Sequence, residues 1–169
     1  CEDRERFNKL ARRLNVRQPE GAMVHTREEA YAAAARIGFP LLVRPSYVLG
    51  GRAMAICYDE DQFAGALDEA LEVSEKHPVL LDRFLIGAIE YDVDALCDGK
   101  SVHIAGIMEH IEEAGVHSGD SACVIPPVAL SAANRKEMIQ TTTRLALALG
   151  VVGLVNIQYA VQGLSLIHI

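Results

Sequence analysis

Apolar positions along this chain switch between a spacing of three to four and a spacing of two, which predicts alternating helices and strands. Phe7, Leu10, Ala11 and Leu14 fall on one helical face. Thr26 and Glu29 form a capping-box signature before the stripe Ala30, Ala33, Ala34 and Ile37, and Gly38 and Pro40 stop that helix. "LLV" reads as a buried strand and "AMAIC" as the strand returning from a Gly-Gly turn. Asp59 and Gln62 open a third helix carrying Phe63, Ala66, Leu67, Ala70 and Leu71, which ends before Pro78. "VLLDRFL" reads as a strand running into a connection. "IEYDVDAL" and "SVHIAGIME", joined by "CDGK", form an antiparallel hairpin. Ser131 opens a fourth helix, Gly150 closes it, and "LVNIQYAV" is a late strand.

The resulting order is a helix, then β-α-β-β-α-β, then a meander, a helix and another strand. Its hairpins imply antiparallel pairing, so the expected class is α+β, in two small lobes hinged near residues 82–88, and not a doubly wound sheet. There is no internal repeat and no low-complexity linker.

Composition narrows the function. The chain has 169 residues, half of them hydrophobic, enough to bury a core. Its net charge of −7 argues against a general nucleic-acid binder, so any bound anion needs locally placed cations. No apolar run approaches the roughly 20 residues of a membrane span, and no signal peptide is expected. Cys1, Cys57, Cys97 and Cys123 make no CxxC pair, which favours a reducing, cytoplasmic setting over a disulfide framework.

Four stretches carry candidate chemistry. "RPSYVLGGRAM", Arg44 to Met54, sets Arg44 and Arg52 around Gly50 and Gly51. It does not fit GxxxxGK[ST], and both a plain hairpin and a phosphate-covering loop remain open. In "IEYDVDAL", Ile89, Tyr91, Val93 and Ala95 share one face, and Glu90, Asp92 and Asp94 the other. Three stacked carboxylates repel unless cations, hydroxyl donors or water separate them, so the strand is either solvent-facing or lies at a cleft edge. "MEHIEEAGVHSGDS", Met108 to Ser121, offers His110, Glu109, Glu112 and Glu113 as cation ligands, and Gly115 and Gly119 for close backbone approach. His110 and His117 do not match a structural zinc pattern; a hard cation or a nucleotide suits the stretch better. Asn156, Gln158 and Ala160 share a strand face. His25, His77 and His103 read as structural or exposed, and Ser46 and Ser118 show no triad arrangement.

Together, "RPSYVLGGRAM", "VLLDRFL", "EYDVDA", "IMEHIEEAGVHSGDSA" and "GLVNIQYAV" resemble the ATP-grasp domain of the carbamoyl phosphate synthetase large subunit, from about Glu2 to Gly163. "PSYVLGG" and "GVHSGDS" look like its C-terminal half, which phosphorylates carbamate; the N-terminal half phosphorylates bicarbonate. The resemblance implies an ATP-grasp fold with a lid lobe at roughly residues 20–84 and a second lobe beyond it. It implies an ATP-dependent ligase using Mg²⁺ or Mn²⁺, with products feeding arginine and pyrimidine synthesis. The implied partners are the rest of the large subunit and a glutaminase small subunit supplying ammonia. By the same resemblance Arg44 would contact ATP phosphates and act in catalysis, and Gly50 and Gly51 would form the lid. Main-chain groups of Arg83 and Leu85 would read adenine, and Glu90 would bind the ribose. Gly115, Val116, His117 and Ser118 would line the nucleotide site, and Gln158 would ligate magnesium. A K⁺ ion would sit near His110, Glu112 and Glu113.

The chain's close departs from the family. Where a strand with Glu, then Asn and Arg is expected, it reads "LSLIHI". The expectation is therefore a C-terminally truncated partial domain, residues 1–163, inactive alone, with residues 164–169 as an extraneous tail. Two rivals stand beside the main reading: another ATP-grasp carboxylase or amine ligase, and a non-catalytic nucleotide-binding or structural module.

Overall fold

The computed structural model describes residues 4–45, 54–74, 77–112 and 121–169. Its elements in chain order are α1 (Arg4–Arg13), β1 (Gly21–Val24), α2 (Arg27–Ile37), β2 (Leu41–Pro45), β3 (Ala55–Cys57), α3 (Glu60–Ser74) and β4 (Val79–Arg83). They continue with β5 (Ile89–Asp98), β6 (Val102–His110), β7 (Cys123–Val124), α4 (Ala132–Ala148), β8 (Val152–Gln162) and β9 (Ser165–His168). Two compact units result, one from Pro19–Leu85 and the other from Cys1–Gln18 with Ile86–Ile169. The class is α+β with antiparallel sheets. No helix among the described residues is long and apolar enough to cross a membrane.

In the Pro19–Leu85 unit the sheet runs β1-β4-β2-β3, every pair antiparallel. Helices α2 and α3 bury Ala30, Ala33, Ala34, Ile37, Phe63, Leu67 and Ala70 against Val24, Leu41, Val43, Val79 and Leu81. The stripes expected from spacing are these buried faces. Capping fixes where the helices start. Thr26 Oγ1 accepts from Glu29 N at 3.2 Å, and the Glu29 carboxylate accepts from His25 N at 2.8 Å. Asp59 Oδ1 accepts from Gln62 N at 2.9 Å, and Gln62 Oε1 from Tyr58 N at 3.0 Å. Gly38 ends α2 at φ 76°, a conformation that other residues rarely adopt.

The other unit holds a five-stranded antiparallel sheet, β7-β6-β5-β8-β9. Tyr91, Val93, Ile107, Ile157, Tyr159 and Leu166 pack on Met138 and Leu145 of α4, with Phe7, Leu14 and Val16 alongside. Tyr159 Oη and Thr142 Oγ1, both buried, share a hydrogen bond of 2.9 Å across that core. Burial is the main reason the phenols of Tyr91 and Tyr159 are each pushed up to about 12. The "CDGK" turn closes the β5–β6 hairpin: Asp98 Oδ1 accepts from Lys100 N at 2.8 Å and Ser101 N at 2.6 Å, and Gly99 takes φ 86°.

Two strands were not foreseen. β7 has two residues, too short for any alternation to register. β9 lies in the closing stretch, to which sequence reading assigned no element. Here Leu166 is buried, and His168 packs its ring 5.0 Å from Phe7 and 5.9 Å from Tyr159. The backbone N–H of His168 donates to Arg17 O at 2.8 Å.

Candidate functional site

The face of the five-stranded sheet opposite α4 carries a cluster of polar residues, with Met108 and Ala160 among them. Alternation along β5 sends Tyr91, Val93 and Ala95 into the apolar core and Glu90, Asp92 and Asp94 to the other side. Register then sets the neighbours. Asp92 stands between Met108 on β6 and Gln158 on β8, Asp94 opposite Asn156, and Glu90 opposite Ala160. His110, two residues beyond Met108, lies on the same face opposite Cys123.

This arrangement answers the question posed by three stacked carboxylates. His110 Nε2 lies 2.6 Å from Asp92 Oδ2, and its Nδ1 lies 3.7 Å from Glu90 Oε2. Asn156 Nδ2 donates to Asp94 Oδ1 at 2.9 Å. One imidazole thus divides two carboxylates and one amide engages the third. Glu90, Asp92 and His110 are only 9%, 7% and 5% exposed, so at these positions the strand is not solvent-facing. Buried carboxylates need such partners, because leaving one without a donor costs several kcal/mol.

The glutamates around β6 have structural partners. Glu109 points to the α4 side, where its Oε2 accepts from Val128 N at 2.9 Å and Ala129 N at 2.8 Å. Glu112 accepts from Ser121 Oγ at 2.6 Å and Ala122 N at 2.7 Å. The Ser121 hydroxyl is the leading reason its carboxyl sits below the usual carboxylate range. Burial, followed by the charges of Asp92 and Glu112, pushes the Cys123 thiol up.

In the Pro19–Leu85 unit, Arg44 Nη2 donates to Asp82 Oδ2 at 2.5 Å. Asp82 is buried, while the Arg44 side chain keeps 39% of its surface exposed. The Arg44 Nε is buried and makes no hydrogen bond among the described residues. Asp82 lies opposite Gly21, whose position has no room for a Cβ beside the Asp82 carboxylate and the Leu81 carbonyl. Arg83 donates its N–H to Glu20 O at 2.7 Å and its guanidinium to Ile37 O at 2.7 Å, bracing the end of α2. Leu85 is the last residue of this unit.

Among the residues predicted from sequence, the fold brings Glu90, His110 and Gln158 to one sheet face. Glu112 is engaged by the Ser121 turn, and Arg44, Arg83 and Leu85 belong to the other unit. Gly50, Gly51, Glu113, Gly115, Val116, His117 and Ser118 lie outside the described residues. Sequence reasoning missed Asp92 as the partner of His110, and Cys123 as the residue facing it. It also missed Asp82, although a single carboxylate inside the apolar run "VLLDRFL" was a visible signal.

The fold is the ATP-grasp fold. The N5-carboxyaminoimidazole ribonucleotide synthetase structure, an ADP complex, superposes with a TM-score of 0.84 at 13% identity, over 99% of this chain and 43% of that one. Biotin carboxylase from Campylobacter jejuni gives 0.82 at 19% identity, over 99% and 39%. The biotin carboxylase domain of Hydrogenobacter thermophilus 2-oxoglutarate carboxylase, in complex with MgADP, ADP and bicarbonate, gives 0.80 at 20%, over 99% and 38%. At those identities the likeness is one of fold alone. Sequence resolves the family: residues 3–168 match the profile described as carbamoyl-phosphate synthase L chain, ATP binding domain, and the chain belongs to that family. It is 63% identical over 162 residues to the carbamoyl phosphate synthase large chain of Archaeoglobus fulgidus, covering 96% of this chain and 15% of that protein. It is 61% identical to the C-terminal section of the Methanocaldococcus jannaschii large chain, covering 96% and 26%. The chain therefore spans a small part of the relatives it matches.

Proposed function

We propose that this chain is the nucleotide-binding part of a carbamoyl phosphate synthase large chain, from the half that phosphorylates carbamate with Mg-ATP. The observation that carries this reading is the 61% identity to a polypeptide that is itself a C-terminal section of the large chain. The parent would be an ATP-dependent ligase working in the cytoplasm, with the remainder of the large subunit and a glutaminase supplying ammonia.

In this reading Arg44 neutralises charge on the phosphates. Asp82 restrains its guanidinium through Nη2, and the part of the Arg44 side chain that stays exposed would meet the phosphate oxygens. Glu90 accepts from the ribose hydroxyls, and main-chain groups of Arg83 and Leu85 read the adenine. Gly50, Gly51, Gly115, Val116, His117 and Ser118 complete the nucleotide site by family resemblance. Phosphoryl transfer asks for positioning and charge neutralisation, and no protein nucleophile is needed. Excluding water favours carbamate as acceptor over hydrolysis.

The polar face also suits a divalent cation. Its donors around Gln158 are carboxylate and amide oxygens, the chemistry that Mg²⁺ or Mn²⁺ takes. Gln158 would help hold the ion, which supplies Lewis-acid neutralisation of the triphosphate when bound. A K⁺ ion near His110 would draw on the oxygens of Glu112 and Glu113.

The test uses the parent enzyme. Arg44→Ala and Glu90→Ala should each lower ATP formation from ADP and carbamoyl phosphate by about tenfold or more. The bicarbonate-dependent ATPase of the other half should persist. If both variants keep full reverse activity, the site assignment is wrong.

A further inference from the structure

Cys123 adds to this face a donor that a purely oxygen-based site does not use. Antiparallel register sets it directly opposite His110 across β6 and β7, while His110 is hydrogen-bonded to Asp92 on β5. One carboxylate oxygen, one ring nitrogen and one thiol sulfur consequently lie within 4.8 Å of one another. We propose that Asp92, His110 and Cys123 form a binding site for a borderline-soft divalent cation of the zinc class.

The donor set selects the metal. Sulfur with imidazole suits Zn²⁺, Co²⁺ or Cd²⁺, and is a poor match for Mg²⁺ or a monovalent hard cation. Ligand bonds of about 2.0–2.3 Å put tetrahedral ligand atoms roughly 3.3–3.8 Å apart. The Asp92–His110 contact of 2.6 Å therefore has to open to admit the ion, and the Cys123 sulfur, within 4.8 Å of both, has to draw in by up to about an ångström. Cys123 is the member free to move: it is exposed and sits on a two-residue edge strand, whereas Asp92 and His110 are buried. Its thiol now points to Ser121 O at 3.8 Å, and metal would replace that proton. A carboxylate and a thiolate balance the double charge, and water would fill the fourth position. Glu90 supplies the outer support that metal-bound histidines usually have. With Nε2 on the metal, Nδ1–H would face Glu90 Oε2, 3.7 Å away in this structure. Glu112 is held in its own turn and takes no part.

The site's consequence for the parent rests on the proposed function: an ion held beside Glu90 and Gln158 would inhibit nucleotide use. The site itself is tested without nucleotide, so the two ideas fail separately. Cobalt(II), titrated into this chain, should bind at one equivalent and give tetrahedral visible bands with a thiolate charge-transfer band in the near ultraviolet. Cys123→Ser should abolish the charge-transfer band and weaken binding about tenfold. Cys1→Ser, Cys57→Ser and Cys97→Ser should leave both unchanged. Asp92→Asn, which keeps the side-chain shape, should weaken binding while the charge-transfer band remains at saturating cobalt. A folded wild-type protein giving no thiolate band overturns the proposal, as does a band that survives Cys123→Ser.

Discussion

Arg44 and Asp82 are joined by a 2.5 Å hydrogen bond between β2 and β4, with the carboxylate buried and the guanidinium partly open to solvent. The pair is worth more to the fold from the aspartate's side than from the arginine's, because the carboxylate is almost wholly out of water and the guanidinium only in part. Arg44→Ala should therefore destabilise the chain by about 1–3 kcal/mol, the cost of withdrawing a donor from a buried acceptor. Asp82→Asn in the same background should recover part of that loss. Urea unfolding of the two single variants and the double variant measures the coupling, and strictly additive losses would count against it.

Gly21 makes the same pair possible from below. A methyl group there meets the Asp82 carboxylate and the Leu81 carbonyl, and the latter is backbone that cannot swing aside. Gly21→Ala should cost about 1–3 kcal/mol by overpacking. A thermal midpoint unchanged from wild type would show that β1 moves away freely.

The Tyr159–Thr142 bond crosses the α4 core with both residues buried. Removing one hydroxyl strands the other. Tyr159→Phe or Thr142→Val alone should each cost about 1–2 kcal/mol, and the two together less than the sum. Chemical denaturation of the four proteins closes this cycle.

His168 gives a pH signature. Burial lowers its folded-state pKa to about 4, against 6.5 for the free side chain. Between those values the unfolded chain takes up a proton that the folded chain refuses. Stability present above pH 6.5 is thus lost as pH falls towards 4, by about 3 kcal/mol in all. His168→Phe should flatten that limb of the stability–pH curve. An equally steep curve for the variant would place the titration elsewhere.

Leu166 carries β9. It is buried among the side chains that α4 covers, so Leu166→Ala should cost about 2–4 kcal/mol, read from the denaturation midpoint. A loss below about 0.5 kcal/mol would mean that the closing strand contributes no packing.

Long elements with a burial stripe were legible from sequence, because one periodicity and one cap determine each. The faces of α2 and α3 and the β5–β6 hairpin are examples. What escaped was pairing between distant segments. Alternation placed Glu90, Asp92 and Asp94 on one face but could not say that His110 arrives between two of them; that depends on the register of β6, which slips by a bulge at Asp94 and Ala95. Asp82 escaped similarly, since its partner lies 38 residues away. Family resemblance named Glu90 and Gln158 together without the physics that makes them neighbours, and that physics is the β5–β8 ladder.

That ladder also limits how the chain can change. Most half-buried strands have a single demanding face, and a slip by one residue offends only that face. In β5 a slip would drive Glu90 and Asp92 into the side chains of Met138 and Leu145, and it would also deprive His110 of both carboxylates. The two penalties fall together, so insertions and deletions near this hairpin can be absorbed only beyond the buried Cys97, in the turn from Asp98 to Ser101, where the residues are open to solvent. Variation among natural relatives should gather at that distal end, and the stretch from Glu90 to Asp94 should tolerate neither a shifted frame nor an exchanged pair.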